Sequence, residues 1–302
     1  MTAIAPSPRR DDDRSGRELA PKGVQVKELA FKYLLLACLV VAVVFLVILL
    51  WSIVQKGWPR LNLELITEQP SRRPQRAGIQ SAIFGTLWVI GLAAAFCIPT
   101  GILAAIYLEE YANPNRWYNR IVELNLQNLA AVPAIVYGIL GLGLIARGPL
   151  GFGFVVITAS LTLSLLVLPV VIIASREAIR AVPNSIRQGS LALGATRWQT
   201  VQRQVLPAAV PGMATGSILA LSRALGEAAP LVLLGGVSFI TFNPDGPNSP
   251  YTVLPILIFS WTIRPQEEFR VAASAAIVVL LVILLAMNSL AIFLRNRYQQ
   301  RW

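Results

Sequence analysis

Of the chain's 302 residues, 55% are apolar and 14% charged, and the mean hydropathy is +0.63; this excludes an ordinary soluble domain and reads as an integral membrane protein. The net charge of +11 is explained by basic residues anchored at anionic membrane lipid, so no nucleic-acid partner is required. The chain has no His, and its two cysteines, Cys38 and Cys97, stand in separate apolar stretches, which sets aside disulfide frameworks, zinc clusters and His-based acid–base chemistry.

In chain order, residues 1–32 mix Pro, Gly and both signs of charge without periodicity and predict a disordered cytoplasmic tail. The run Asp11–Asp13 is read as solvated charge, since a hard cation needs ligands fixed by surrounding structure, and no metal site is expected anywhere. Uncharged windows then run 33–55, 77–108, 124–146, 148–175, 204–222 and 271–294. About 20 apolar residues cross the hydrocarbon core, so the windows predict an all-α protein with six transmembrane helices. The first, 33–55, lacks a small-residue cleavage site and is retained as a span. The fifth window continues as an apolar run beyond Arg223 and Glu227, which places span five at about 208–232 with both charges inside it. The run 251–263 is too short to cross and reads as an interfacial or re-entrant piece.

Pro99, Pro133, Pro169, Pro211 and Pro230 fall in or at the ends of spans two to five, whereas spans one and six contain none. Proline frees a backbone carbonyl, which membrane helices tolerate where neighbours or water satisfy it. Gly85, Gly91, Gly101, Gly138, Gly141 and Gly143 would let backbones approach closely. Spans two to five therefore read as a working core. With the N-terminus inside, 17 of the 26 Lys and Arg fall on inside segments and eight on outside loops, Arg223 lying within a span; this orients both termini to the cytoplasm.

The fourth loop, 176–207, contains the polar stretch SLALGATRWQTVQRQVLP (190–207). Ser185-Ile-Arg-Gln188 and Thr196-Arg-Trp-Gln199 each fit a capping box. They predict helices over about 186–193 and 197–206, the first closed by Gly194 in a left-handed turn and the second ending before Pro207. Leu191, Trp198, Val201 and Val205 can line one apolar side. Such a pair suits docking of another protein, and it equally suits lying on the lipid surface.

These residues resemble the coupling loop of ABC-importer permeases, E-A-A-x3-G-x9-I-x-L-P. Gly194, Leu206 and Pro207 hold matching places, Gln188, Gly189 and Ser190 stand where that pattern has Glu-Ala-Ala, and Gln204 stands at the Ile position. GILAAIYLEEYA (101–112), AAVPAIVYGILGLG (130–143) and SRALGEAAPLVLLGG (222–236) resemble the phosphate permeases of the Pst system. The spacing in TVLPILIFSW (252–261) is similar to its PstA branch rather than to PstC. The likeness covers about residues 78–294. It implies a type I ABC-importer permease fold, with a permease core over 78–294, a coupling loop over 176–207 and a cytoplasmic tail over 295–302.

The resemblance further implies a second permease subunit (PstC-like), an ATPase dimer (PstB-like) docked on Gln188, Gly189, Ser190, Gly194, Trp198, Leu206 and Pro207, and an external phosphate-binding protein (PstS-like), in a bacterial inner membrane. The chain has no GxxxxGK[ST] loop, so it is no enzyme and binds no cofactor itself; ATP and Mg belong to the partner ATPase.

Arg223 and Glu227, spaced i,i+4, can approach one another on a helix. A charge at bilayer depth costs about 2.5–3.5 kcal/mol even on the insertion scale, so both should face the bundle interior or water. The arginine fork suits phosphate oxygens, whereas Glu repels an anion. Arg223 is therefore assigned to the substrate pathway and Glu227 to holding it, the alternative being a structural ion pair. Arg176 is a second pathway candidate by resemblance, its alternative being a positive-inside anchor. A permease for another oxyanion, such as molybdate or phosphonate, fits the same residues. A proton-coupled transporter fits less well, because only Glu227 offers an acid near midplane. The topology predicts that single cysteines at Gln199 and Asn248, in a background lacking Cys38 and Cys97, label from opposite sides of the membrane. Labelling of both from outside intact cells overturns it.

Overall fold

The computed structural model describes residues 22–113, 116–236 and 239–298. The chain divides into two compact units, residues 1–52 and 53–302. The first is described from Lys22, where helix α1 (Lys22–Gly57) begins. The sequence expects a disordered tail to residue 32, yet 22–32 is helical, because no breaker follows Gly23 and the apolar segment propagates its helix backward. The rest of the expected tail, with Asp11–Asp13, lies outside the described residues. Apolar side chains from Leu29 to Leu49 point outward on every side of α1. A helix apolar all round and exposed has lipid as its solvent.

In the second unit, Asn62 caps the short α2 (Leu63–Thr67), its side chain accepting the Leu65 N–H at 3.1 Å. Helix α3 (Gln80–Ile106) runs on through a π turn, Tyr107–Tyr111. Next come α4 (Trp117–Ala130) and α5 (Ala134–Leu140), the latter extended by a π turn, Gly141–Ala146. Then follow α6 (Val156–Arg180), α7 (Asn184–Ala192), α8 (Arg197–Thr200), α9 (Leu206–Leu225), α10 (Ala229–Leu233), α11 (Leu254–Thr262) and α12 (Glu267–Tyr298).

Among the described residues, five helices are long and apolar enough to span a membrane, and a sixth span exists if α4 and α5 are taken as one piece bent by 106°. The expected third span, 124–146, is thus not straight. Pro133 lies at the break, where its missing N–H and ring stop α4 from continuing. The fifth span also departs from expectation. A π turn, Val201–Val205, joins α8 to α9, so Arg197–Leu225 is one helix. Pro207 does not end a helix but sits in the first turn of α9, because the widened π turn moves the carbonyl four residues back away from the proline ring. The span then stops at Leu225 rather than 232, and Glu227 lies beyond it. At the C-terminus α12 continues to Tyr298, past the expected limit of 294, so only residues 299–302 of the expected tail lie outside the described residues.

Helix α6 is central. It packs against α9 through small residues, since a Cβ on Gly216 would stand 2.6 Å from the Ala174 Cβ and one on Gly212 2.8 Å from the Ala178 Cβ. Gly101 of α3 meets Val171 of α6 at 2.7 Å in the same sense, and Gly138 of α5 meets the Pro230 backbone at 2.7 Å. Gly85 lies against the Thr252 carbonyl and Gly141 against the Thr162 side chain, while Gly91 and Gly143 face open space. Close approach thus explains four of the six glycines singled out in the sequence, and adds Gly212 and Gly216. The nine-residue α11 is, as expected, too short to cross. Its Leu254, Leu257 and Trp261 are buried with Leu65, Ile79 and Phe269.

These contacts separate two glycines of α3. Gly85→Ala drives a Cβ into a backbone carbonyl and should cost at least the ~1–3 kcal/mol of core overpacking, seen as a lower midpoint for heat-induced aggregation in detergent. Gly91→Ala should leave that midpoint at or above the parent's, because alanine is the better helix former.

Candidate functional site

The chain leaves α6 through Val182 and Pro183, and Pro183 is the N-cap of α7. Its fixed φ starts the helix at Asn184, which puts Ser185 inside the first turn, beyond the capping position. The first expected capping box is therefore not formed. The far end follows expectation. Gly194 has φ +83°, its N–H reaches the Leu191 carbonyl at 3.0 Å, and the Ala195 N–H reaches the Ser190 carbonyl at 3.2 Å. That pair of bonds is the Schellman closure, which requires a left-handed residue. The second capping box is complete, with Thr196 N–H to Gln199 Oε1 at 2.9 Å and Gln199 N–H to Thr196 Oγ1 at 3.3 Å.

Ser190 and Thr200 join α7 to α8 through their hydroxyls at 2.9 Å. Val201 and Val205 point into the core, but Leu191 and Trp198, expected on the same apolar side, face outward. The second helix is continuous with α9, so its inner face is claimed by the bundle. Trp198 is 57% exposed and Leu193 91%. With Gln188 and Gly189, also exposed, they give the loop an outer surface of apolar knobs among polar groups. Leu206 is half-buried and Pro207 exposed where the loop enters the span.

Beside this loop lies a charged cluster that sequence reasoning passed over. Glu109 accepts from Arg176 Nε at 3.3 Å and from Arg180 Nε and Nη2 at 3.0 and 3.1 Å; Glu123 accepts from Arg176 Nη2 at 3.1 Å. A cavity of about 260 Å³ opens among Glu109, Asn119, Glu123, Arg176 and Arg180. Glu110, 7% exposed, accepts from Arg187 Nε and Nη2 at 3.0 and 2.8 Å. The sequence signal was the pair of acids closing span two, facing arginines four apart at 176 and 180.

Arg223 occupies the last turn of α9, while Glu227 follows its end. Their closest approach, Nε to Oε1, is 3.9 Å. They are therefore neighbours across a helix terminus rather than on one helix face, and the contact is looser than those of Arg176. The Arg223 side chain is 69% exposed. Both residues border a recess of about 40 Å³ lined also by Leu129, Val132, Tyr137 and Val167. The bent pair α4–α5 thus meets the charged pair at its break, where the Tyr137 hydroxyl donates to the Leu129 carbonyl at 2.9 Å.

Arg176 is elsewhere. Val167 borders the Arg223 recess, and Arg176 stands nine residues further along α6, about 14 Å at 1.5 Å per residue. The two candidate arginines are thus held at different levels of the bundle, Arg176 paired near the loop and Arg223 more open, level with the middle of α6.

Residues 97–302 match the profile of a family described as "binding-protein-dependent transport system inner membrane component". The chain is 34% identical over 261 residues to the phosphate transport system permease protein PstA 1 of Mycobacterium tuberculosis, covering 85% of this chain and 84% of that protein. It is 31% identical over 277 residues to the probable phosphate transport system permease protein PstA of Methanocaldococcus jannaschii, covering 90% and 93%. Among solved structures, a chain of a bacterial alginate ABC transporter bound to its periplasmic protein superposes with a TM-score of 0.60 at 18% identity, covering 91% of this chain and 98% of that one. A chain of the inward-facing MetNI methionine ABC transporter superposes with 0.60 at 16%, covering 74% and 98%. At those identities the likeness shows the fold, that of ABC-importer permeases.

The loop geometry yields a test independent of any partner. Open space surrounds Gly194, so the penalty for Gly194→Val is purely conformational, about 1–3 kcal/mol. Tryptic cleavage after Arg187 or Arg197 should accelerate severalfold in Gly194→Val and stay at the parent rate in Gly189→Ala, whose site is helical and open. Equal rates in both overturn the assigned closure.

Proposed function

Because this chain belongs to the binding-protein-dependent transport permeases of ABC importers, we propose that it is the PstA-type subunit of an ATP-driven importer of inorganic phosphate. The observation that carries the substrate is Arg223, an exposed guanidinium at the break of a bent span, held only loosely by Glu227. Its planar fork can give two parallel donors to one phosphate, and Glu227 keeps it aimed without quenching it. The relatives in Mycobacterium tuberculosis and Methanocaldococcus jannaschii, a phosphate transport permease and a probable one, support the same cargo. Arg176 takes the second position on the path once its guanidinium exchanges Glu109 or Glu123 for the anion.

Partners follow from the surfaces. Leu87 and Leu103 of α3, Ile139 of α5 and Leu285 of α12 expose apolar side chains, which lipid and a second, PstC-like permease cover. The exposed Leu193 and Trp198, with Gln188, Gly189, Ser190 and Gly194, receive a PstB-like ATPase dimer, and Leu206 and Pro207 lead from that contact into the span. The ATPase supplies the nucleotide chemistry for which this chain carries no phosphate-binding loop. A PstS-like binding protein delivers phosphate at the opposite face, and both termini lie in the cytoplasm of a bacterial inner-membrane protein.

The test is phosphate uptake and phosphate-stimulated ATP hydrolysis by the assembled complex in vesicles. Arg223→Gln should assemble normally and lose about 10–100-fold in uptake, the ~1.5–3 kcal/mol of a charged hydrogen bond. Arg223→Lys should recover part of it. Full transport in Arg223→Gln combined with Glu227→Gln reduces the pair to a structural one. Stimulation by molybdate or a phosphonate in place of phosphate replaces the cargo.

A further inference from the structure

Glu109 and Glu110 are adjacent in the π turn that closes α3, and successive helical residues point about 100° apart. They consequently reach different elements. Glu109 holds Arg176 and Arg180 on α6, while Glu110 holds Arg187 on α7. The Arg187 guanidinium goes further, donating to the carbonyls of Ile179 at 2.9 Å and Val182 at 2.6 Å. One side chain of the loop's first helix is thereby bonded to the ends of both neighbouring spans. Gln188, Gly189 and Leu193 face the other way, into solvent. Glu110 is largely shielded, so its two bonds to Arg187 are directional and little screened by salt.

The surroundings of this pair suggest what it does. The attachment on the α3 side is a π turn, Tyr107–Tyr111, and the loop's exit into α9 is another, Val201–Val205. Such turns interrupt the α-helical register and recur at functional positions. The ionic link thus stands between two segments where that register is interrupted.

We infer that Arg187 and Glu110 form the joint through which displacement of the docking helix α7 is passed to α3 and α6. They are positioning residues for transport, separate from the groups that meet the ATPase or the anion. The inference rests on the reading of α7 and α8 as the ATPase-docking loop. Although Arg187 Nη1 also reaches Asn184 of its own helix at 3.3 Å, the joint explains why an arginine in a loop otherwise built for an outside partner gives most of its donors to Glu110, Ile179 and Val182.

The experiment uses the complete transporter with its ATPase and binding protein in vesicles, and reads two quantities on one preparation. They are the ATPase retained per permease and the ratio of phosphate-stimulated to basal ATP hydrolysis. Neutralising both members, Glu110→Gln with Arg187→Gln, avoids stranding a shielded charge. This variant should retain the ATPase at the parent ratio and lose at least tenfold in stimulation. Glu110→Cys with Arg187→Cys, in a background of Cys38→Ser and Cys97→Ser, should be equally uncoupled. It should regain stimulation when bridged by a short reducible bis-thiol reagent, and lose it again on reduction. Parent-level stimulation in the neutral variant overturns the joint. So does loss of the ATPase from that variant, since the pair then only folds the loop. If the parent permease retains no ATPase, the docking reading fails and the joint with it, a result seen before any substitution is made.

Discussion

The close approach of α6 and α9 sets the geometry of everything else. Ala174 and Ala178 face Gly216 and Gly212 in antiparallel register, the small-residue contact by which membrane helices associate without a hydrophobic driving force between them. Each of these residues is one turn from its neighbour, so the two helices are fixed in both separation and slide. That register places Arg223 level with Val167 of α6 and leaves the α6 C-terminus beside the loop. A larger side chain at any of the four positions would separate the helices, and the recess at Arg223 would lose its wall.

Charge is distributed unevenly along this frame. Near the loop, Arg176, Arg180 and Arg187 are each matched by a carboxylate within 3.3 Å, as expected where ionisable groups are partly withdrawn from water. Level with the middle of α6, Arg223 has one carboxylate partner among the described residues, at 3.9 Å, and an open side. In the first arrangement the donors are already occupied, so an anion would have to displace a carboxylate. In the second the guanidinium is held less tightly and is more exposed.

Much of this was legible in the sequence, and the exceptions have two causes. Gly194 and the Thr196–Gln199 box were readable because a left-handed turn and a capping box are settled within a few residues of chain. The uncharged windows also located the apolar segments, five of which form single long helices and one a pair bent by 106°. Misreadings arose where a neighbouring feature overrode the local pattern. Pro183 displaced the start of α7 and left Ser185 without its role, Pro133 bent a span that composition alone reads as straight, and a π turn carried a helix through Pro207. The carboxylate cluster was hidden for a different reason: Glu109, Glu110 and Glu123 lie more than fifty residues from the arginines they hold, and no spacing rule spans that distance. Gly212 and Gly216 were missed because their partners are alanines on another helix.

The continuity of Arg197–Leu225 has a mechanical meaning. Trp198, on the outer surface of the loop, and Arg223, at the recess beside the bent pair α4–α5, ride on one continuous helix about 38 Å long at 1.5 Å per residue. No loop lies between them, and the helix can bend at the widened turn Val201–Val205 and at the interior Pro211. A tilt of about 10° pivoting at one end would carry the other by about 7 Å over that length, more than the diameter of a small oxyanion. A surface that grips Trp198 therefore holds a lever whose far tip carries the arginine.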